Sequence, residues 1–281
     1  MRASPVRIVD PASRSRSLPR LMAGGLDEIR LSIAAWRVWH LLGSADVRRR
    51  YARSRLGQLW IILSTAVTFS CMAIVWSYLW KIPVAEFLPY VAASYVVWLF
   101  ISSMIGESTN AFPDHKGYFS NQNMPIANII FAVGYRNVIV FGLNLILPLA
   151  IALAFGVRWN WTIVLAIPGF ALTLLGCLAL SFIVAILCAR FRDFTQLTAA
   201  LLQVAFYLSP ILWKPEQLPQ QAKALLAWNP FAVLIAIVRD PLLGRPVSLS
   251  IWLAALILVA VLIVLALAAI GTFRRRVVYW L

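Results

Sequence analysis

Six long apolar stretches constrain the fold of this 281-residue chain more than any other feature of its sequence. The apolar core of a bilayer is about 30 Å thick, so a helix that crosses it needs about 20 apolar residues, and each stretch has about this length. We therefore predict an all-α integral membrane protein with six transmembrane helices. These predicted spans cover residues 60–80, 88–105, 138–157, 162–188, 194–213 and 249–271.

The composition supports a membrane protein and excludes several functions. Hydrophobic residues make up 62% of the chain and charged residues 12%, whereas soluble domains have about 25% charged residues. The net charge of +15 is concentrated beside the apolar stretches, where it orients the chain and attracts anionic headgroups, so we predict no nucleic acid partner. The three cysteines and two histidines lie far apart, which predicts neither a metal site nor a cofactor.

The distribution of Lys and Arg predicts the orientation of the chain. An even number of spans places both termini on the same side of the membrane, and the segments on that side hold nineteen of the 25 basic residues. Basic residues are enriched on the cytoplasmic side of membrane proteins. Both termini are therefore predicted to be cytoplasmic.

The segments outside the spans divide the chain further. Residues 1–25 are rich in Arg, Ser and Pro and lack the apolar core of a signal peptide, so we predict a disordered cytoplasmic tail. Residues 26–59 are predicted to form an interfacial amphipathic helix, expected over 26–42, and a basic segment, before the six-span domain at 60–281. The connection before the last span contains five prolines, and its apolar runs are too short to cross a bilayer, which predicts re-entrant helices.

The sequence shows no catalytic pattern. No predicted span carries a carboxylate in its interior, so coupling to an ion gradient is not expected. The sequence also lacks a P-loop, and we predict that the chain is not an enzyme and that any nucleotide hydrolysis belongs to another polypeptide. A membrane-bound glycosyl- or acyltransferase is the alternative. It would depend on Asp114 and His115, an adjacent pair that is more typical of a solvated turn.

Uncharged polar residues recur at helical spacing within two of the predicted spans. Such residues often form hydrogen bonds between helices in a bilayer. They also suit a pathway for a hydroxyl-rich substrate, and the pattern alone favours neither interpretation. The residues concerned are Ser64, Thr68 and Tyr78 in the first span, and Gln196, Gln203 and Tyr207 in the fifth.

A cluster of arginines immediately precedes the first span. It consists of Arg48, Arg49, Arg50, Arg53 and Arg55. The enrichment of basic residues on the cytoplasmic side accounts for this position by itself. In a second interpretation, several guanidinium groups at headgroup level bind a pyrophosphate through bidentate hydrogen bonds.

Five segments at the predicted spans and their connections form a recognisable series. They are RRRYARSRLGQLWIIL (48–63), VVWLFISSMIGESTNAF (96–112), CARFRDFTQL (188–197), FYLSPILW (206–213) and WNPFAVLIAIVRDPLLG (228–244). This series resembles the ABC-2 type permeases that export polysaccharides, above all those for O-antigen and other lipopolysaccharide-linked glycans. Permeases for teichoic acid and capsule are close neighbours of these.

The resemblance implies a function and a set of partners. It implies a homodimer that binds two copies of a separate ABC ATPase subunit in a bacterial inner membrane. It further implies export of a glycan linked to undecaprenyl diphosphate, through a channel lined by the first and fifth spans. Efflux of drugs or small lipids is the alternative for the same architecture.

The resemblance also assigns two connecting segments. A coupling loop at residues 107–125, with Glu107, Asp114 and Lys116, is expected to contact the ATPase. A periplasmic gate is expected in the loop 213–248 and immediately before it. Its candidate residues are Pro210, Trp213, Asn229, Pro230, Arg239 and Asp240.

Overall fold

The computed structural model describes residues 18–51, 59–120, 124–217, 219, 226 and 229–280. Within these residues all regular structure is helical. The helices are α1 (Leu18–Ala34), α2 (Trp36–Tyr51), α3 (Leu59–Trp80), α4 (Val84–Ser108), α5 (Ala111–Asp114), α6 (Lys116–Ser120), α7 (Ala127–Ala154), α8 (Ala166–Arg190), α9 (Asp193–Leu208), α10 (Pro230–Leu242) and α11 (Leu249–Trp280). Short 3-10 turns at Trp161–Leu165 and Pro215–Gln217 precede α8 and follow α9.

Five of the six predicted spans are helices long and apolar enough to cross a membrane, namely α3, α4, α7, α8 with its preceding turn, and α11. Helix α7 begins at Ala127, earlier than predicted, because the largely apolar residues 127–135 continue the same helix. The end of this bundle at Arg190 and Arg274 is named the basic end, and the opposite end, at Trp80 and Leu249, is named the far end.

The predicted fifth span corresponds to α9, which is shorter than the sequence suggested. It has 16 residues, which rise about 24 Å at 1.5 Å per residue, less than the roughly 30 Å of a bilayer core. The helix ends at Leu208 because Pro210 disfavours a helical backbone at the residue before it, and Ser209 is extended. The sixth crossing therefore stays a prediction.

Helix α10 lies in the connection for which re-entrant helices were predicted. Its 13 residues are too few to cross a bilayer, and most of them are buried against α4, α8 and α11. It runs antiparallel to α8: Pro230 lies near Cys177, in the middle of α8, and Ile237 lies against Gly169 near the far end. The helix thus begins at mid-length of the bundle and ends at the far end.

The N-terminal region differs from the predicted tail and single helix. Helix α1 begins at Leu18, inside the segment predicted as the tail, and a second helix, α2, follows after Ala35. Helix α1 packs closely against α11, and the missing side chain of Gly271 makes this possible. A Cβ atom at this position would lie 1.9 Å from the carbonyl oxygen of Leu21. The earlier tail residues, 1–17, lie outside the described residues.

Two apolar clusters form the core of the bundle. One surrounds α4 in the half toward the far end, where the rings of Phe141 and Phe170 stack with centroids 4.2 Å apart. The other lies toward the basic end and joins α7, α8 and α11 around Ile129, Phe182 and Ile270. Helices α3 and α9 stand at the edge of these clusters, so large parts of both are exposed.

Candidate functional site

Helix α9 carries the polar residues predicted for the fifth span, and none of its residues is buried. Gln196 and Gln203 are exposed, and Tyr207 is 60% exposed. Residues seven and eleven positions apart return to nearly the same side of a helix. The three residues therefore share one side of α9 that the described part of the chain leaves uncovered.

The polar residues of the first span lie on an exposed part of α3. Ser64 is exposed and Tyr78 is 78% exposed. The Ser64 hydroxyl donates to the carbonyl oxygen of Ile61 (3.0 Å), and the Thr68 hydroxyl donates to that of Ser64 (2.8 Å). Because these protons are used within the helix, the two oxygens are left mainly as acceptors.

Part of the arginine cluster is placed at the end of α2. Arg48 and Arg49 are exposed in its last turn, and Arg50 belongs to the same helix. The side chain of Arg50 and the residues Arg53 and Arg55 lie outside the described residues, so a common phosphate site stays a prediction. Among the described residues, no three His, Cys, Asp or Glu side chains lie close enough to hold a metal ion.

Arg239 is the centre of a buried polar network at the far end. Its side chain is 4% exposed, and its Nε donates to the Asp240 carboxylate at 2.7 Å. Its Nη1 donates to the Tyr90 hydroxyl at 2.8 Å and to the Pro210 carbonyl oxygen at 3.0 Å. The Tyr90 hydroxyl in turn faces the carbonyl oxygens of Pro210 (2.9 Å) and Trp213 (3.1 Å) as a donor. Four of the predicted gate residues are thereby brought together.

This network satisfies the carbonyl groups of the non-helical segment that follows α9. An unpaired backbone group in an apolar environment costs several kcal/mol, so such a segment has to be buried against donors. Besides Arg239 and Tyr90, the indole Nε1 of Trp80 donates to the carbonyl oxygen of Leu212 at 3.2 Å. The segment 209–213 is therefore fixed between α3, α4 and α10.

Asn229 and Pro230, the other predicted gate residues, begin α10. The Asn229 side-chain oxygen accepts a hydrogen bond from the backbone N–H of Phe231 at 3.0 Å. Pro230 takes the first helical position, where a backbone N–H has no partner within the helix, so the missing N–H of proline costs nothing. The Asn229 Nδ2 also donates to the carbonyl oxygen of Leu208 at 3.1 Å. The start of α10 is thus tied to the end of α9.

Sequence reasoning missed several residues of this network. Tyr90 and Trp80 occur in apolar stretches, and nothing in their spacing indicates contact with residues more than a hundred positions away. The ion pair between Lys214 and Glu86, with the Lys214 side chain 10% exposed, was missed for the same reason. The only signal was indirect, since an arginine among the apolar residues of α10 needs buried partners.

The predicted coupling residue Glu107 lies in a second polar network, at the basic end. Its Oε2 accepts hydrogen bonds from Arg136 Nη2 (2.6 Å), Arg136 Nε (3.1 Å) and Asn137 Nδ2 (2.7 Å). Arg136 Nη1 also donates to the Asp46 carboxylate at 2.8 Å. Helices α2, α4 and α7 meet at this guanidinium, a contact that the sequence did not indicate.

The other two predicted coupling residues lie on the surface nearby. Asp114 ends α5 and Lys116 begins α6, and both are exposed. Tyr118, in α6, accepts a hydrogen bond from Asn128 Nδ2 at 3.0 Å, which joins the loop to α7. Burial raises the pKa of Tyr118, so this phenol is neutral at physiological pH. The loop after α4 therefore presents short helices on a fixed base.

A cavity of about 890 Å³ separates part of α9 from the rest of the bundle. Its lining is mostly apolar and includes Leu180 of α8, Leu202 of α9 and Phe231 of α10. Gln196 and Gln203 do not line it. Tyr207 does line it, so only the two glutamines lie on a side of α9 that faces away from this cavity.

Together, these features define a multi-pass membrane protein with an incompletely covered helix at its edge that carries exposed glutamines. Residues 37–243, more than half of the chain, match the ABC-2 type transporter family. The chain therefore belongs to the ABC-2 type transporter family, which confirms the family inferred from the five sequence segments.

Relatives with descriptive names cover most of the chain. The O-antigen export system permease protein RfbA of Myxococcus xanthus is 24% identical over 233 residues, which are 82% of this chain and 90% of that protein. The protein of the same name from Klebsiella pneumoniae is 20% identical over 205 residues, 71% of this chain and 78% of that protein. The polysialic acid transport protein KpsM of Escherichia coli is 24% identical over 231 residues, 79% of this chain and 88% of that protein.

Proposed function

We propose that this chain is the permease subunit of an ABC transporter that exports a lipid-linked polysaccharide, such as O-antigen on undecaprenyl diphosphate, across a bacterial inner membrane. The observation that carries the proposal is the uncharged polar side of α9, which the described chain leaves uncovered. A glycan that leaves water loses the hydrogen bonds between water and its many hydroxyl groups, and a conduit through the membrane has to replace them. Gln196, Gln203 and Tyr207 offer such partners without binding tightly through charge.

The uncovered sides of α3 and α9 support a homodimer. Tyr78 of α3 and Tyr207 of α9 are both largely exposed in the single chain. Two copies that meet along these helices enclose a polar conduit and shield it from lipid. In this arrangement α9 and the non-helical segment 209–214 that follows it together make the sixth crossing.

The basic end faces the cytoplasm in this proposal. Most of the described Lys and Arg residues lie at this end, as expected for the cytoplasmic side. Two copies of a separate ATPase subunit bind there, against the loop that carries Asp114 and Lys116. The arginines at the end of α2 receive the diphosphate of the lipid carrier, and the segment around Arg239 forms the periplasmic gate.

Two of the relatives broaden the substrate class. RfbA is named for O-antigen export and KpsM for polysialic acid transport. Both names denote polysaccharides, and this supports a polymer over a small drug or lipid. Capsular polysaccharide is therefore the second candidate substrate, on the similarity to KpsM.

The experiment deletes the gene and restores it as wild type or as the double variant Gln196→Leu, Gln203→Leu. Deletion should abolish surface polysaccharide and wild type should restore it. The double variant should export about tenfold less at equal protein level, because each lost hydrogen bond is worth about 0.5–1.5 kcal/mol. Val261→Leu, an exposed apolar position on α11, is the control and should export normally. Unchanged surface polysaccharide after deletion, with altered resistance to small molecules, would instead support drug efflux.

A further inference from the structure

Arg136 joins two parts of the chain that are separate in the sequence, helix α2 and the end of α4. Its Nη1 donates to Asp46 of α2 at 2.8 Å, and its Nη2 donates to Glu107 of α4 at 2.6 Å. The Arg136 side chain is 16% exposed and the two carboxylates about 20%. Breaking such a shielded pair costs more than breaking an ion pair of an open surface, which is worth about 0–1 kcal/mol, because the remaining charge is left without a partner. One guanidinium therefore holds both helices.

Neighbouring residues make this contact a packed unit. The Asn137 amide donates to the same Glu107 oxygen at 2.7 Å. His115, between α5 and α6, places its Nε2 4.0 Å from the Asp46 carboxylate. Helix α2 approaches α7 closely at Gly43, where a Cβ atom would lie 2.9 Å from the carbonyl oxygen of Ala132. Helix α2, the loop after α4 and the start of α7 thus have little room to move independently.

The two carboxylates bound by Arg136 lie next to the two proposed interaction sites. Asp46 precedes Arg49 by three residues, so both lie on the same side of α2, which ends with the exposed arginines. Glu107 lies four residues before α5, where the surface proposed to bind the ATPase begins. Arg136 is located between these sites without belonging to either surface.

We propose that Arg136 is a positioning residue that links the arginines of α2 to the ATPase-binding loop, so that a bound lipid diphosphate stimulates nucleotide hydrolysis. The inference rests on the proposed function. Arginine suits this role because its planar group can bind two carboxylates at once, whereas the lysine ammonium is a compact point charge. A shift of α2 on binding the diphosphate then moves Glu107 through a single rigid group.

The test measures ATP hydrolysis by the complex of this chain and its ATPase subunit in lipid nanodiscs, with and without an undecaprenyl-diphosphate-linked glycan. The wild-type rate should rise with the glycan. Arg136→Gln should reduce the ratio of stimulated to unstimulated rate about fivefold or more, the lower range for coupled sites. Arg136→Lys should retain an intermediate ratio. Arg275→Gln, at an exposed arginine of the same end, is the control and should keep the wild-type ratio.

A second variant separates coupling from folding. Asp46→Asn removes the charge on the α2 side alone and leaves the pair of Arg136 with Glu107. If the Arg136→Gln chain does not assemble with its ATPase subunit, Asp46→Asn tests the coupling in its place. It should lower the ratio to the same extent, and the double variant should lower it no further, because both changes break one link. A purely structural role would reduce both rates in proportion and leave the ratio unchanged, which overturns the inference. Absence of both stimulation and export in the wild type would instead overturn the proposed function.

Discussion

Replacement of Arg239 by leucine is expected to lower the free energy of unfolding by about 3 kcal/mol, the lower end for a broken buried pair, because it leaves the Asp240 carboxylate, which is 18% exposed, without its partner. Asp240 loses a cation at 2.7 Å, and the carbonyl oxygen of Pro210 loses one of its two donors. A loss of this size corresponds to roughly 10 °C in the unfolding temperature. Thermal unfolding of the purified protein in detergent measures it directly.

Two further variants make this prediction specific. Arg245 is exposed six residues after Arg239, and Arg245→Leu should change the free energy of unfolding by at most about 0.5 kcal/mol. The double variant Arg239→Leu, Asp240→Leu removes both charges and should recover part of the lost stability. An unfolding temperature for Arg239→Leu equal to that of the wild type would mean that the network does not hold the segment after α9.

Replacement of Gly169 by leucine is the second change with a large expected effect, because it separates α10 from α8. A Cβ atom at Gly169 would lie 2.1 Å from the carbonyl oxygen of Ile237, and a backbone atom cannot turn aside as a side chain can. Ala236, which is 8% exposed, reports on this separation as Ala236→Cys. Its reaction with a membrane-permeant maleimide should become at least about tenfold faster. A loss of about 1.4 kcal/mol in the contact between α10 and α8 raises the fraction of molecules with the two helices apart by that factor.

The matched control uses the same substitution at a glycine with free space. A Cβ atom at Gly142 of α7 meets no other atom within 4 Å, so Gly142→Leu should leave the labelling rate unchanged. Both variants need a Cys71→Ala, Cys177→Ala background, because Cys71 is exposed and Cys177 lies near Pro230 at the start of α10. Equal labelling in the Gly169 and Gly142 variants would contradict the close packing of α8 and α10.

The membrane-length helices could be predicted because bilayer thickness translates directly into a count of apolar residues. Helix α9 was the exception. Its apolar stretch continues through Leu212, but Pro210 ends the helix, and a count of apolar residues does not register that interruption. The same proline was recognised only as part of a gate motif, so its effect on the length of the span was missed.

The helix at the N-terminus was missed for a different reason. Composition suggested a tail up to residue 25, because Arg, Ser and Pro dominate its start. The residues from Leu18 onward fold as a helix through contact with α11, and Gly25 allows this contact, since a Cβ atom there would lie 2.3 Å from the carbonyl oxygen of Leu267. Gly25 of α1 and Gly271 of α11 thus allow the two helices to pack closely.

The polar networks could be predicted only in part. Arg239, Asp240 and Glu107 were candidates because the resemblance to the permease family assigned them to the gate and to the coupling loop. Their partners Tyr90, Arg136 and Asp46 come from other helices, and only the packing of α4, α7 and α2 brings them within hydrogen-bond distance. For α9, helical periodicity predicts that the polar residues share one side. Their exposure depends on how the other helices pack, which the sequence did not indicate.

We propose that two copies of this chain form a polar conduit for a lipid-linked polysaccharide, driven by a separate ATPase. The most direct measurement follows an undecaprenyl-diphosphate-linked glycan across proteoliposomes with the chain alone, the ATPase alone, or both. We expect the glycan to cross only when both proteins and hydrolysable ATP are present. Transport of the glycan by the chain alone, without nucleotide hydrolysis, would contradict it.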